Sequence, residues 1–449
     1  MKLAATTLVP DWMKYRKGKN ETSPVWFIDI RQTDFAPDSA LWQERINAEI
    51  GSVLKQIGLN EWKEPVLIKC HIGEKRCRTR MLPEYCLSTV NHFRSYGMEK
   101  IACGDSTVAY TGERGYHDNH RDCSPYLGLA ERHGWADSGP LGLPFVIIDK
   151  PLTSKKGIFD FNQEEIVQQP QQYARFKEVY LAGGFAEAGT IVNHVHLTLH
   201  DMAQVACAVK GLTMGGSSYR GKLVMHKCYS PVINDKACKR CGTCAVRCPE
   251  GALVWEKGAR QHIEYVLDFS NRFGALDWSK GSIPHLDKDR CIGCGECIAV
   301  CHGKSISMVS EEIDDWLRGG SSLPYRMTDY LMGMMEGRWD RLLNVVHLYN
   351  ITRRCDCVDE EQTPIVPHIG FLIGRNPFAV DLMSTYLLHE EIYKGYKEEG
   401  GIQQHAEGLG ESDILQIYFA EYHGVDPYRH IEREYGIVVE PDPRRVILR

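Results

Sequence analysis

The chain has 449 residues, with 53 lysines and arginines against 59 aspartates and glutamates, a formal net charge of −6. Hydrophobic residues make up 43% and charged residues 25%, an ordinary globular composition that excludes a disordered chain, a fibrous repeat and a small stapled module. The length points to two or three domains, the mild acidity argues against general binding of nucleic acid or anionic membrane, and no stretch approaches the roughly 20 apolar residues of a spanning helix.

Residues 1–19 lack the apolar run of a signal peptide, being broken by Trp12, Tyr15 and several lysines, so a cytoplasmic location is expected. In that reducing compartment cysteines act as metal ligands or reactive thiols. There are 17 of them, an odd number that does not suit a fully paired disulfide framework.

Residues 25–30 read as a strand and 40–56 as an amphipathic helix. Residues 66–69 are strand-like, 84–96 helical, 101–103 strand-like and 144–149 a further strand. This rhythm predicts an α/β fold, a mostly parallel sheet layered with helices. Residues 110–121, polar and glycine-rich, read as a surface loop.

Residues 190–200 read TIVNHVHLTLH. A strand there puts His194, His196 and His200 on one face and Val195, Leu197 and Leu199 on the other. If the end is helical, His196 and His200 still share a face. Either way two imidazoles meet, as a metal or substrate site or as hydrogen-bonded histidines of a half-buried strand. Residues 203–212 read as a helix carrying Lys210. Residues 216–222 match the first part of a phosphate-binding loop, but Leu223 stands where serine or threonine should follow, and a helix-like segment precedes the loop instead of a strand. An anion site using Arg220 and Lys222, or a plain connector, fits better.

Between 226 and 310 the cysteines cluster. Cys238, Cys241, Cys244 and Cys248 form one block, and Cys291, Cys294, Cys297 and Cys301 a second, both C-x2-C-x2-C-x3-C. This spacing wraps three thiolates around one cubane and sends the fourth to the other cluster of a two-cluster ferredoxin. Zinc ribbons use separated cysteine pairs, and neither block has the C-x-x-C-H of c-type haem. Two [4Fe-4S] clusters are expected. The segment 256–283, with Trp278, reads as a recognition flap. The organisation is then an α/β domain begun by 1–225, interrupted by a ferredoxin-like α+β module at 226–310 and completed by 311–449, where a strand–loop–helix unit spans 365–388.

Six cysteines, Cys70, Cys77, Cys86, Cys103, Cys123 and Cys207, stand singly and read as inert buried thiols. Cys355 and Cys357 are close-spaced and flanked by Arg353, Arg354 and Asp359. The arginines favour thiolates, which would stay reduced and available either to join histidines on an additional metal or to act as redox thiols.

Taken together, the segments 66–69 and 101–106, the signature from Asn193 through His196, His200, Lys210 and Gly215 to Lys222, the two cysteine blocks, and the closing stretches 350–357, 364–370 and 376–381 resemble the domain-of-unknown-function 362 family of iron–sulfur centre proteins. The likeness runs from about 60 to 390. His71, Thr198, Gly211 and His368 depart from its pattern, standing where the family has asparagine, lysine, commonly asparagine and usually aspartate. The resemblance implies architecture and cluster content more than a substrate. The residues point to an iron–sulfur oxidoreductase whose two clusters feed a second site at the sheet edge, built from His196, His200, Lys210, Cys355 and Cys357 and acting on a small organic acid or conjugated compound, with a redox partner protein as donor or acceptor. The alternatives are a non-catalytic ferredoxin-type subunit of a larger redox complex and a metallocluster chaperone.

Overall fold

The structure, a computed structural model, describes residues 22–58, 62–110, 112–171, 176–200, 203–226, 229–248, 251–254, 282–288, 290, 291, 297, 301, 305–310, 323–398, 428, 431, 432, 435 and 437–448. Its centre is an eight-stranded sheet. We label the strands β1 (Ser23–Asp29), β2 (Val66–Lys69), β3 (Ile101–Asp105), β4 (Phe145–Ile147), β5 (Thr190–His196), β6 (Leu342–Leu348), β7 (Gly370–Gly374) and β8 (Pro441–Ile447). The order across the sheet is β8-β1-β7-β6-β5-β2-β3-β4. Every neighbouring pair is parallel except the two made by β7, which is antiparallel to both β1 and β6. The mostly parallel α/β class expected from the sequence is the class observed.

The inner strands are buried along their whole length, as a sheet covered on both faces requires. Successive side chains point to opposite layers. Ile68, Cys103, Val192 and Val345 pack with Trp42, Ile46 and Ile50 of helix Ala40–Ile57 and Val90 and Phe93 of helix Leu87–Ser95. Leu67, Ala102 and Ile191 face the other way, toward Val209 and Leu212 of helix Ala208–Gly216 and Tyr330 and Leu331 of helix Leu323–Met334. Among the described residues no helix is long and apolar enough to cross a membrane.

The parallel strands bring several carboxyl ends to one edge. β2 ends on Lys69, β3 on Asp105 and β5 on His196, while Asp149 and Lys150 follow β4 and Tyr349 follows β6. The strand expected at 144–149 is shorter because Asp149 turns back to accept a hydrogen bond from the Thr107 N–H (2.8 Å). The helix expected at 203–212 is displaced: Gln204–Ala206 pairs with Thr198–His200 as a short antiparallel ribbon, and the helix runs over Ala208–Gly216. A second helix, Tyr219–His226, follows where a connector was an option. The loop 110–121 is not simply a surface loop, because Arg114 is fully buried against the carboxylates of Asp105 and Glu74.

The described part of 226–310 forms its own strand pairs. Tyr229–Ile233 is antiparallel to Ile306–Ser310, Leu253–Val254 to His285–Leu286, and helix Thr243–Arg247 lies within the first cysteine block. Residues 256–281 of the expected flap lie outside the described residues, as does Cys294.

Phe371 of β7 joins the two halves of the sheet, with its ring 5.0 Å from Tyr85, 5.2 Å from His347, 5.6 Å from Tyr349 and 6.2 Å from Phe35. Phe371→Ala should lower unfolding free energy by about 3–5 kcal/mol, measured by denaturant titration followed by circular dichroism; a loss under about 1 kcal/mol would show that this cluster does not hold the antiparallel strand.

Candidate functional site

Two constellations carry chemistry. In the first, Cys238, Cys241 and Cys244 of one cysteine block and Cys301 of the other line one small cavity, closed by Ile233, Gly242, Pro284 and Ile306. The left-handed backbone at Arg240 (φ 55°) and Gly242 (φ 68°) curls the loop around it. Backbone N–H groups point at sulfur: Arg240 to Cys238 (3.4 Å), Ala252 to Cys248 (3.2 Å) and Ser305 to Cys301 (3.2 Å). The Thr243 hydroxyl donates to Cys241 Sγ (3.4 Å). Burial, with Cys241, Cys238 and Cys301 beside it, pushes the Cys244 thiol up to about 12. Thiols so crowded ionise together only around metal cations, which deprotonate coordinating thiols outright. A cage of sulfur with N–H groups aimed at it fits an iron–sulfur group.

The second constellation lies at the carboxyl edge of the sheet, the usual ligand position in open α/β folds. Lys69 Nζ sits 3.2 Å from Asp105 Oδ1. Arg114 binds Asp105 Oδ2 (2.8 Å) and Glu74 Oε1 (3.0 Å), and its Nε donates to the Tyr126 hydroxyl (3.0 Å). Gly215 makes this arrangement feasible, because a Cβ there would stand 2.1 Å from Lys69 Nζ. Lys222 Nζ donates to Ser106 Oγ (2.9 Å) and the Ser217 carbonyl (2.6 Å), and burial brings its ammonium down to about 8. Lys210 differs from its neighbours: among the described residues no carboxylate or hydrogen-bond acceptor holds it. Burial first, then the charges of Lys69 and Arg114, bring its ammonium down to about 8. Two other polar atoms are also unmatched. Thr198 Oγ1 and His226 Nδ1 are buried with no hydrogen-bond partner among the described residues.

The histidines separate. His194 belongs to the core, its ring nitrogens 3.0 Å from Thr89 Oγ1 and 3.0 Å from His347 Nε2, and burial brings it down to about 3. The three-histidine face expected from the sequence breaks after His196, where the sheet strand ends. His196 Nδ1 lies 2.8 Å from Asp356 Oδ2 and its Nε2 lies 2.6 Å from the Tyr349 carbonyl. His200 is half-buried, and its Nδ1 accepts the Ala203 N–H (3.0 Å). One nitrogen of His200 and the sulfurs of Cys355 and Cys357 all lie within 4.8 Å of one another. Cys355 and Cys357 are joined as a disulfide, where the sequence reading expected free thiols. The segment between them is pinned: the Tyr110 hydroxyl donates to the Cys357 carbonyl (2.7 Å), the Glu74 N–H to the Asp356 carbonyl (2.9 Å), and the Cys77 thiol to Asp356 Oδ1 (3.3 Å).

So the structure brings His196, His200, Cys355 and Cys357 around one short segment. The sequence reading missed Lys69, Glu74, Asp105, Arg114, Asp149 and Lys150. Its usable signal was a charged residue at or just after the end of three successive predicted strands. Cys70, Cys77, Cys86, Cys103, Cys123 and Cys207 are all buried, as expected of inert thiols.

Burial alone would push the Asp356 carboxyl up, but the His196 imidazole and its hydrogen bond outweigh this and hold it below its ordinary 3.8. Burial likewise works against the His196 cation, yet Asp356 and the Tyr349 carbonyl raise it above its ordinary 6.5. Stability from Asp356 is therefore complete above 3.8 and lost as pH falls through its lower folded value. Stability from His196 is complete below 6.5 and lost as pH rises through its raised folded value. Asp356→Asn should cost about 3 kcal/mol between pH 4 and 6.5, where both contributions are complete, and progressively less as the pH rises past the raised His196 value. Thermal unfolding of both proteins from pH 4 to well above 6.5 checks it, and a cost that stays constant through the raised His196 value would exclude an ionised pair.

A 97-residue stretch, 22% of this chain, is 25% identical to the pyruvate synthase subunit PorD of Methanocaldococcus jannaschii and covers 86% of that protein. No solved structure matches the chain. Residues 66–386, from β2 into helix Pro377–Glu398, match the family model described as "Domain of unknown function (DUF362)", and the chain therefore belongs to that family.

Proposed function

We propose that this protein is an iron–sulfur oxidoreductase: two [4Fe-4S] clusters, one held by Cys238, Cys241, Cys244 and Cys301 and the other by Cys291, Cys294, Cys297 and Cys248, supply electrons to a site at the carboxyl edge of the sheet, where a small organic acid or conjugated compound is reduced. The observation that carries the reading is the cavity shared by three cysteines of one block and the last cysteine of the other. That interleaving is what a two-cluster ferredoxin needs and what two independent zinc sites would not use. Such clusters supply single electrons, typically at low potential.

The remaining residues of the site bind and orient. Lys210 is the anion anchor: its charge is unmatched in a region where Lys69, Lys222 and Arg114 already have partners, so a substrate carboxylate would complete the balance. His196, tied to Asp356, and His200, tied to the Ala203 N–H, are the proton-handling groups. A redox partner protein would load or unload the module.

The similarity to PorD favours a second reading, in which the chain is a non-catalytic electron-transfer subunit of a larger redox complex. The two readings separate on Lys210, since a carrier does not need an unmatched ammonium at a sheet edge.

Anaerobically purified protein should contain about eight iron and eight acid-labile sulfide per chain, with interacting S = 1/2 signals after reduction. Stoichiometric zinc without sulfide would remove both readings. Lys210→Gln should leave the iron and sulfide unchanged while weakening binding of small carboxylates by about tenfold or more, as loss of a charge-assisted contact implies; calorimetric titration of wild type and variant against a panel of short carboxylic acids would detect it. Wild type that binds none of them supports the carrier.

A further inference from the structure

We infer that Cys355 and Cys357 form a redox-active disulfide/dithiol pair, with His200 as its hydrogen-bond donor, which stores electrons two at a time beside the anion anchor. The pair itself is argued from its own geometry, and its electron supply rests on the proposed function above.

Three alternatives fail on observations at this site. A stabilising disulfide gains by closing a long loop, whereas this one joins residues two apart, with Cα atoms 5.2 Å from each other. Ordinary spare thiols need no support, yet this segment is held by the Tyr110 hydroxyl, the Glu74 N–H, His196 and Cys77. A metal bound by His200 and both sulfurs is the closest rival, since the three ligand atoms lie within 4.8 Å of one another. The hydrogen bond to His200 decides against it. Nδ1 accepts the Ala203 N–H at 3.0 Å, so the neutral ring carries its proton on Nε2. A metal-ligating histidine has the reverse arrangement, with one nitrogen on the metal and the other donating its N–H. A ring protonated on Nε2 is instead suited to donate to a thiolate. Burial, and then the neighbouring Lys210, keep the ring neutral.

The step balances as follows. The S–S bond takes up two electrons and two protons and breaks to give two thiols; oxidation by substrate returns two electrons and two protons and reforms the bond. The reductant is an iron–sulfur donor delivering one electron at a time. Cys357 is half-buried and Cys355 almost fully buried, so Cys357 is the sulfur open to exchange. When the bond opens, the thiolate first formed accepts the His200 hydrogen bond, which lowers its proton affinity and keeps it reactive.

The full chain, purified anaerobically and oxidised with a mild disulfide-forming reagent, is treated with nothing, with a phosphine reductant, or with a dithionite-reduced ferredoxin separated from excess dithionite. It is then denatured, alkylated and digested, and the peptide holding 355–357 is weighed. No label without reductant and two labels after either reductant are expected. Two labels after phosphine but none after ferredoxin uphold the pair and remove the electron supply of the proposed function. Two labels without reductant overturn the proposal. So does a peptide that stays unlabelled after phosphine until a chelator releases one further metal ion per chain. In the reduced native protein, His200→Leu should slow alkylation of Cys357 at pH 7 about tenfold, one unit of thiol pKa, and His200→Gln, which keeps an N–H donor, should recover part of the rate. Equal rates in all three folded proteins would remove His200 from the pair.

Discussion

The Asp105 carboxylate holds the carboxyl edge of the central sheet together. It ends β3 in the interior, where an unpaired charge would be costly. Lys69 from β2, Arg114 from the following loop and the Tyr126 hydroxyl all converge on it. Arg114 in turn reaches Glu74 and comes within 3.1 Å of His71 Nε2. Glu74 supports the Asp356 carbonyl through its backbone N–H. One buried carboxylate is thus connected, in a few hydrogen bonds, to the segment that carries Cys355 and Cys357. The parallel sheet makes this economy feasible, because it delivers the ends of β2, β3 and β5 to the same edge.

Much of this was legible in the sequence, for identifiable reasons. Strands β2 and β3 are short runs of apolar residues bounded by polar ones, and helix Ala40–Ile57 has clear 3.6-residue periodicity, so local pattern and tertiary environment agree. The cysteine blocks were legible because ligand spacing is a covalent property of the chain. The Cys355–His200 proximity was legible only as a guess from strand ends. What was hidden depended on pairing across the sheet. Arg114 sits in a stretch that reads as polar loop, and only Asp105 and Glu74, brought near by folding, explain its burial. His194 and His196 share a strand face, yet one meets Thr89 and His347 in the core while the other meets Asp356; periodicity cannot tell those neighbours apart.

The cysteines divide by what surrounds them. Those between 238 and 301 are arranged so that backbone N–H groups face sulfur, which suits a resident inorganic group. Cys355 and Cys357 lie among a histidine, a carboxylate and an unmatched lysine, which suits turnover. The six single cysteines are all buried, which disfavours the thiolate; Cys70, Cys86, Cys103 and Cys123 sit in the apolar core, while Cys77 donates to Asp356 and Cys207 to Ser384. One residue type thus serves three purposes, and the number and polarity of its neighbours separate them.

The most direct measurement is an anomalous-scattering map at the iron edge from crystals grown without oxygen. The account expects two separate iron centres, one among Cys238, Cys241, Cys244 and Cys301 and the other reached by Cys248 together with cysteines of the second block. A single metal ion held within each block, with Cys248 bound alongside Cys238, Cys241 and Cys244, would contradict it.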